Sequence, residues 1–152
     1  MDNVDLEEQD HLAAEAAVKF FSYRTPENFA RKKTSVLLAR GQLVRGMVQV
    51  VKEGGENNLH YHSNADGFWM VLQGCAKFYG PGDKLLGEIS SGDGVVIPRN
   101  ARYWFESSGK EQLEILLVQA LADPKVTNTG RTDSEARKIE DAGTAPQFSA
   151  EI

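Results

Sequence analysis

Apolar residues along the chain follow two different periods, one near its start and one through its middle. Over residues 5–21 they recur at spacings of three and four, with acidic residues early and Lys19 late, which predicts a helix. From residue 34 onward, β-branched and aromatic residues form short segments separated by turn residues, which is typical of β-strands. The predicted strands are residues 35–39, 43–52, 58–62, 68–73, 76–79, 84–89, 94–97, 103–106 and 114–121. Many short strands with regular turns indicate an all-β protein, either a sandwich or a barrel.

The chain divides into three segments. Residues 1–30 hold the predicted helix, which ends before Pro26, and form an N-terminal arm that packs on the β-domain or on a partner subunit. Residues 31–123 contain the predicted strands and form one β-domain. Residues 124–152 are polar, and we expect a mostly irregular C-terminal tail with at most a short helix near 134–139.

Composition and charge limit the classes of partner and cofactor that we expect for this protein. The formal net charge of −5 argues against a nucleic-acid partner. No apolar run approaches the roughly 20 residues of a membrane helix, and nothing at the start reads as a secretory signal. Cys75 is the single cysteine, so no internal disulfide forms, and we expect a cytoplasmic protein without a membrane partner. The glycine-rich turns lack the spacing of phosphate loops, so we expect no nucleotide or organic cofactor.

Two sequence motifs lie in the region of the predicted strands. Each begins with a glycine and continues after five intervening residues. The first is Gly54, five residues, His60-Tyr61-His62 and then residues 68–74, and the second is Gly92, five residues, Pro98, Asn100 and Tyr103. Together they resemble the two cupin motifs, which in that family form facing strands of a jelly-roll barrel. The resemblance covers about residues 34–121 and implies a single jelly-roll barrel.

The resemblance also implies where a metal binds. Cupin metal sites use two histidines and a glutamate of the first motif and a third histidine of the second. His60 and His62 match the two histidines, and two residues apart in a strand they share a face, whereas Gly67 and Tyr103 replace the other two ligands. We expect weak binding of a divalent transition metal (Ni, Cu, Zn or Fe), with Asp66 or Tyr103 and water completing the shell. The alternative is a histidine pair that is only hydrogen-bonded, with Asp66 as a turn residue.

Side chains on the same strand faces as the ligand positions of the two motifs are expected to line a ligand cavity inside the barrel. The candidate substrate-binding residues are Trp69, Val71, Tyr103, Phe105, Met47 and Gln49. An aromatic cavity with a few polar groups suits a small apolar or aromatic molecule. The alternative is that the aromatic rings simply fill the interior of the barrel. The strand that holds Met47 is apolar at both odd-numbered and even-numbered positions, so the sequence does not decide which of its faces points into the barrel.

Three functions fit this pattern. The first is a metal-assisted oxygenase, isomerase or lyase that uses His60 and His62. The second is a metal-free enzyme of the epimerase or cyclase type, in which a histidine and Tyr103 are the catalytic acid and base. The third is a barrel that binds a small molecule without catalysis. We also expect a homodimer, because barrels of the resembling family commonly pair and the apolar stripe of the arm needs a cover.

Overall fold

The structure, a computed structural model, describes residues 3–135 and 148–151. It begins with helix α1 (Asn3–Ala16). The strands that follow are β1 (Lys33–Arg40), β2 (Val44–Val51), β3 (Gly55–His62), β4 (Ala65–Gln73), β5 (Cys75–Tyr79), β6 (Leu85–Ser90), β7 (Gly94–Ile97), β8 (Tyr103–Ser107), β9 (Leu113–Leu121), β10 (Arg131–Asp133) and β11 (Phe148–Ser149). Every strand predicted for the middle segment is present.

The strands form two sheets. The order in the larger sheet is β11-β1-β2-β9-β4-β7, and in the smaller it is β10-β3-β8-β5-β6. Neighbouring strands are antiparallel, except that β11 runs parallel to β1. The prediction of an all-β jelly-roll barrel with one N-terminal helix is therefore confirmed.

Strand β2, whose orientation the sequence did not decide, lies between two hydrophobic clusters. Met47 and Val51 belong to the cluster inside the barrel, whereas Val48 and Val50 belong to a second cluster on the outer side of the larger sheet. Both faces of β2 are therefore buried, which explains why both parities are apolar. Gln49 is buried and shares the inward parity of Met47.

The second cluster is covered by the chain that follows α1. Phe29 packs there against β1 and β2, and Tyr23 lies at its edge. The Tyr23 hydroxyl donates a hydrogen bond to a carboxylate oxygen of Glu114, which also accepts one from Thr25 Oγ1 at 2.6 Å. Burial and the hydrogen bond to Glu114 raise the pKa of Tyr23, so this hydroxyl stays protonated as a donor. Residues before β1 thus form part of the fold.

The helix is shorter than predicted. It ends at Ala16 instead of residue 21, and Phe21 forms a β-bridge to Glu151. Val18, Phe20 and Phe21 have modest helix propensity, and the bridge satisfies backbone groups that a helix would otherwise pair. The described side chains of α1 are exposed, so α1 itself is not packed on the barrel. No helix in the described parts of the chain is long and apolar enough to cross a membrane.

Two short strands come from the segment for which a mostly irregular tail was predicted. Strand β10 pairs with β3 so that Arg131 lies opposite His62 and Asp133 opposite His60. Strand β11 pairs with β1, where Val36 lies opposite Phe148. Such strands, of two and three residues, carry no periodicity that a sequence can reveal. The helix predicted near 134–139 falls largely outside the described residues.

The outer face of β4 and β7 carries exposed apolar side chains. Phe68 is 50% exposed and Val96 59%. We predict that a second copy of the chain covers this face, so that light scattering gives twice the monomer mass of 16.8 kDa. Phe68→Glu should yield a monomer, whereas Leu85→Glu, at an exposed position on the other sheet, should leave the dimer intact. A wild-type monomer at high micromolar concentration would contradict this prediction.

Candidate functional site

Two histidines of β3 and a tyrosine of β8 meet inside the barrel. His60 lies opposite Tyr103 in the register of these strands, and their ring centroids are 4.5 Å apart. The His62 ring is 5.2 Å from His60 and 6.4 Å from Tyr103. The structure therefore brings together the three residues that the sequence singled out as catalytic.

The motif glycines make the turns that place these strands. Gly54 precedes β3 with φ 78° and Gly92 precedes β7 with φ 90°. Positive φ is strained for residues with a Cβ atom, so glycine fits both turns. The six-residue step from Gly54 to His60 therefore leads from the turn to a position on β3 whose side chain faces into the barrel.

His60 is held in a defined tautomer. It is fully buried, and its Nδ1 lies 2.7 Å from the carbonyl oxygen of Asn58. Because a carbonyl oxygen only accepts, Nδ1 carries the proton and donates, which in the neutral ring leaves the lone pair on Nε2. His62 is half-buried, and its Nδ1 lies 2.9 Å from Oγ1 of Thr129. Nε2 of His60 can therefore act as a base.

Gly67 leaves a gap on the opposite sheet. A Cβ atom at Gly67 would lie 3.5 Å from Nε1 of Trp69, a buried donor that has no hydrogen-bond partner among the described residues. Beside this gap is a cavity of about 10 Å³, which is room for about one water molecule. It is lined by His62, Ala65, Gly67, Ile97, Pro98, Ala101 and Tyr103.

The structure does not bring Asp66 to this group. Residues alternate between the two sides of β4, and Asp66 is exposed while Ala65 is buried. The Asp66 carboxylate accepts a hydrogen bond from the backbone N–H of Arg99 at 2.8 Å. Asp66 is therefore a strand residue whose carboxylate caps the turn after β7, and it is neither the metal ligand nor the turn residue that the sequence suggested.

The donor set does not fit a firm metal site. Two imidazoles and one phenol converge, Gly67 contributes no side chain and Asp66 lies outside. Within residues 3–135 and 148–151, no group of three or more His, Cys, Asp or Glu side chains is placed to hold a metal ion. Closed mononuclear sites generally use at least three such ligands.

The candidate lining residues form the barrel core. Trp69, Val71 and Phe105 are completely buried, and Met47 and Tyr103 nearly so. The Trp69 ring packs edge-on against Phe105 at a centroid distance of 5.0 Å. These rings contact one another, so they fill the barrel below the histidines.

Sequence reasoning missed Arg45 of β2 and Gln119 of β9, two polar residues that face the site. Arg45 lies opposite Gln119, and Gln119 lies opposite Gly67, so the three form one row across the larger sheet. Arg45 shares the inward parity of Met47. The only signal for Arg45 in the sequence was a charged residue in a mostly apolar strand.

Comparisons with known proteins agree with the fold. The family model described as Cupin matches residues 25–151. A solved protein from Klebsiella pneumoniae with a double-stranded β-helix domain is 19% identical, with a TM-score of 0.60, and the match covers 75% of this chain and 92% of that one. KdgF from Halomonas sp. is 16% identical with a TM-score of 0.56, over 66% of this chain and 93% of that one.

A further similar structure is that of an enzyme. Streptomyces Pac13, solved with uridine, is 13% identical with a TM-score of 0.56, and the match covers 80% of this chain and 87% of that one. Pac13 is described as a nucleoside dehydratase. Among curated proteins, none matches this chain. The family match over most of the chain, together with the two motifs and the double-sheet barrel, shows that the chain belongs to the cupin family.

Proposed function

We propose that this cupin is an enzyme that moves a proton on a small organic substrate, with His60 as the base and Tyr103 as the acid, and that it needs no metal. The observation that carries the proposal is the pairing of a tautomer-fixed His60 with the phenol of Tyr103, whose rings are 4.5 Å apart. The lone pair of His60 accepts a proton, and the phenol donates one to a developing oxyanion.

The surroundings of the pair support acid–base chemistry. The Asn58 carbonyl stabilises the imidazolium that forms when Nε2 takes up a proton, because it accepts from Nδ1 in both protonation states. Apolar rings below the pair exclude water and strengthen electrostatic interactions. An epimerase, cyclase or dehydratase can use a base and an acid placed in this way for proton transfer.

A similar barrel in another enzyme provides a precedent for such a reaction. Pac13 carries a similar barrel and is described as a nucleoside dehydratase, which makes acid–base chemistry compatible with the fold.

The test is solvent exchange in the presence of a chelator. A panel of small ketones, aldehydes and 2-oxo acids is incubated with the protein in D₂O, and deuterium incorporation is followed by NMR. We expect exchange on at least one compound, at a rate that EDTA does not change. Tyr103→Phe should slow it. Tyr61→Phe serves as the control, because Tyr61 lies between the two histidines on β3 and its side chain points to the other side of that strand.

A metal requirement would overturn the proposal in favour of the metal-assisted alternative. In that case EDTA would abolish exchange, and nickel, copper, zinc or iron would restore it. Metal titration into chelator-stripped protein would then show uptake that the double variant His60→Ala, His62→Ala lacks.

A further inference from the structure

A second, larger cavity lies at the same end of the barrel. Its volume is about 260 Å³, near the lower end of the range for small-molecule sites. The lining residues are Arg40, Gly41, Gln42, Val44, Arg45, Leu121, Pro124, Thr127 and Thr129. Two of these are arginines, and none of the described lining residues is acidic, although the whole chain has a net charge of −5.

The partly buried guanidinium of Arg45 in the wall of this cavity lacks full hydrogen bonding and lies close to a second positive charge. One N–H of its guanidinium, on Nη2, donates to Oε1 of Gln119 at 3.0 Å, while Nε is buried without a hydrogen-bond partner among the described residues. Burial, and secondly the charge of Arg40 opposite it in the β1–β2 register, lower the pKa of Arg45. The nearest acid in the adjoining loop, Asp123, accepts the backbone N–H of Lys125 at 3.0 Å.

The cavity adjoins the histidine pair. Thr129 lines it, and the hydroxyl of Thr129 lies 2.9 Å from Nδ1 of His62. On the other side of His62 is the small cavity at Gly67, where the Trp69 indole N–H has no acceptor among the described residues. Arg45 and Gly67 are two strands apart in one row, roughly 10 Å at the usual strand spacing. Arg45 Nε on this row and Trp69 Nε1 beside Gly67 are both buried donors without an acceptor among the described residues, and a ligand that carries acceptor oxygens complements them.

We propose that the cavity binds an oxyanion, the carboxylate or phosphate group of a small organic molecule, through Arg45, Arg40 and the hydroxyls of Thr127 and Thr129. The guanidinium fork matches two anionic oxygens, and the anion offsets both the burial of Arg45 and its repulsion from Arg40. That this ligand is the substrate rests on the proposed function. Bound here, its anionic group would hold the remainder of the molecule towards His62 and His60.

The test uses benzoate, phenyl phosphate and neutral benzamide, titrated by calorimetry at low ionic strength. We expect at least one of the two anions to bind about tenfold or more tightly than benzamide, and the tighter anion identifies carboxylate or phosphate. Arg45→Met should weaken that anion about tenfold or more, and the exposed Arg40→Met about twofold to fivefold. Arg31→Met is the matched control, because this exposed arginine precedes β1 at the end away from Arg40, and it should leave affinity unchanged.

Equal binding of benzamide and the anions, no binding of any probe, or equal effects of Arg31→Met and Arg45→Met would overturn the anion site. Since Arg45→Met also removes a partner of buried Gln119, a thermal melt accompanies it, and Arg40→Met tests the site without disturbing the core. His60→Gln separates the two proposals. If it keeps anion binding while no exchange activity is found for the wild type, the anion site stands and the proposed function fails. If exchange occurs without Arg45-dependent binding, the reverse holds.

Discussion

Trp69→Ala is expected to lower the free energy of unfolding by about 3–5 kcal/mol, the usual cost of truncating a large buried aromatic side chain. Trp69 is completely buried and packs edge-on against Phe78 at 5.9 Å and Phe105 at 5.0 Å. Removing the indole leaves a cavity between the two sheets that strand pairing prevents from collapsing. Chemical denaturation followed by circular dichroism measures the loss.

The second tryptophan provides a matched control. Trp104 stacks on Tyr79 at 4.1 Å, and its Nε1 donates to Asp83 at 3.0 Å, but it lies on the outer side of β8 and is partly exposed. Trp104→Ala should cost about 1 kcal/mol. If Trp69→Ala instead left stability unchanged and removed ligand binding, the ring would line a ligand cavity, as was expected from the sequence.

His60→Gln should lower the exchange rate of the proposed reaction by about 10²–10⁴-fold, the usual contribution of a positioned general base. Glutamine can still donate to the Asn58 carbonyl, but its amide has no basic nitrogen to accept the substrate proton. Deuterium incorporation followed by NMR measures the rate in both proteins.

The control for this variant is His11→Gln, since His11 is exposed on α1 and distant in sequence from the site. It should retain the wild-type exchange rate. An unchanged exchange rate in folded His60→Gln protein would contradict the role of His60 as base. A loss in His62→Gln of equal size, with His60→Gln fully active, would transfer that role to His62.

The local sequence pattern was enough to predict most of the strands and part of the candidate site. Strand β7 has the predicted bounds, because Gly94 follows a turn and Pro98 cannot continue a ladder. The shared face of His60 and His62 follows from the two-residue period of a strand. Their meeting with Tyr103 was implied by the resemblance to cupins and is confirmed by a register between strands 43 residues apart in sequence.

Other features depended on contacts that no local pattern encodes. Phe21 leaves the predicted helix because Glu151, at the far end of the chain, offers it a bridge. The outward direction of Asp66 depends on whether the turn before β4 adds a residue, and one residue reverses every side chain of a strand.

By itself, the sequence determined an all-β protein with His60 and His62 on one face of a strand, because the two-residue period of strands is readable along the chain. The resemblance to the two cupin motifs implied the jelly-roll barrel, the inward direction of the histidines, and glycine and tyrosine in place of two ligands. Only the tertiary structure decided that β2 faces two cores and that Arg45 lies beside Gln119 and near Gly67. Arg45 and Gln119 are 74 residues apart, and only the pairing of β2 with β9 brings them into contact. Strand register is a property of the whole sheet, because the burial of all its faces selects it together.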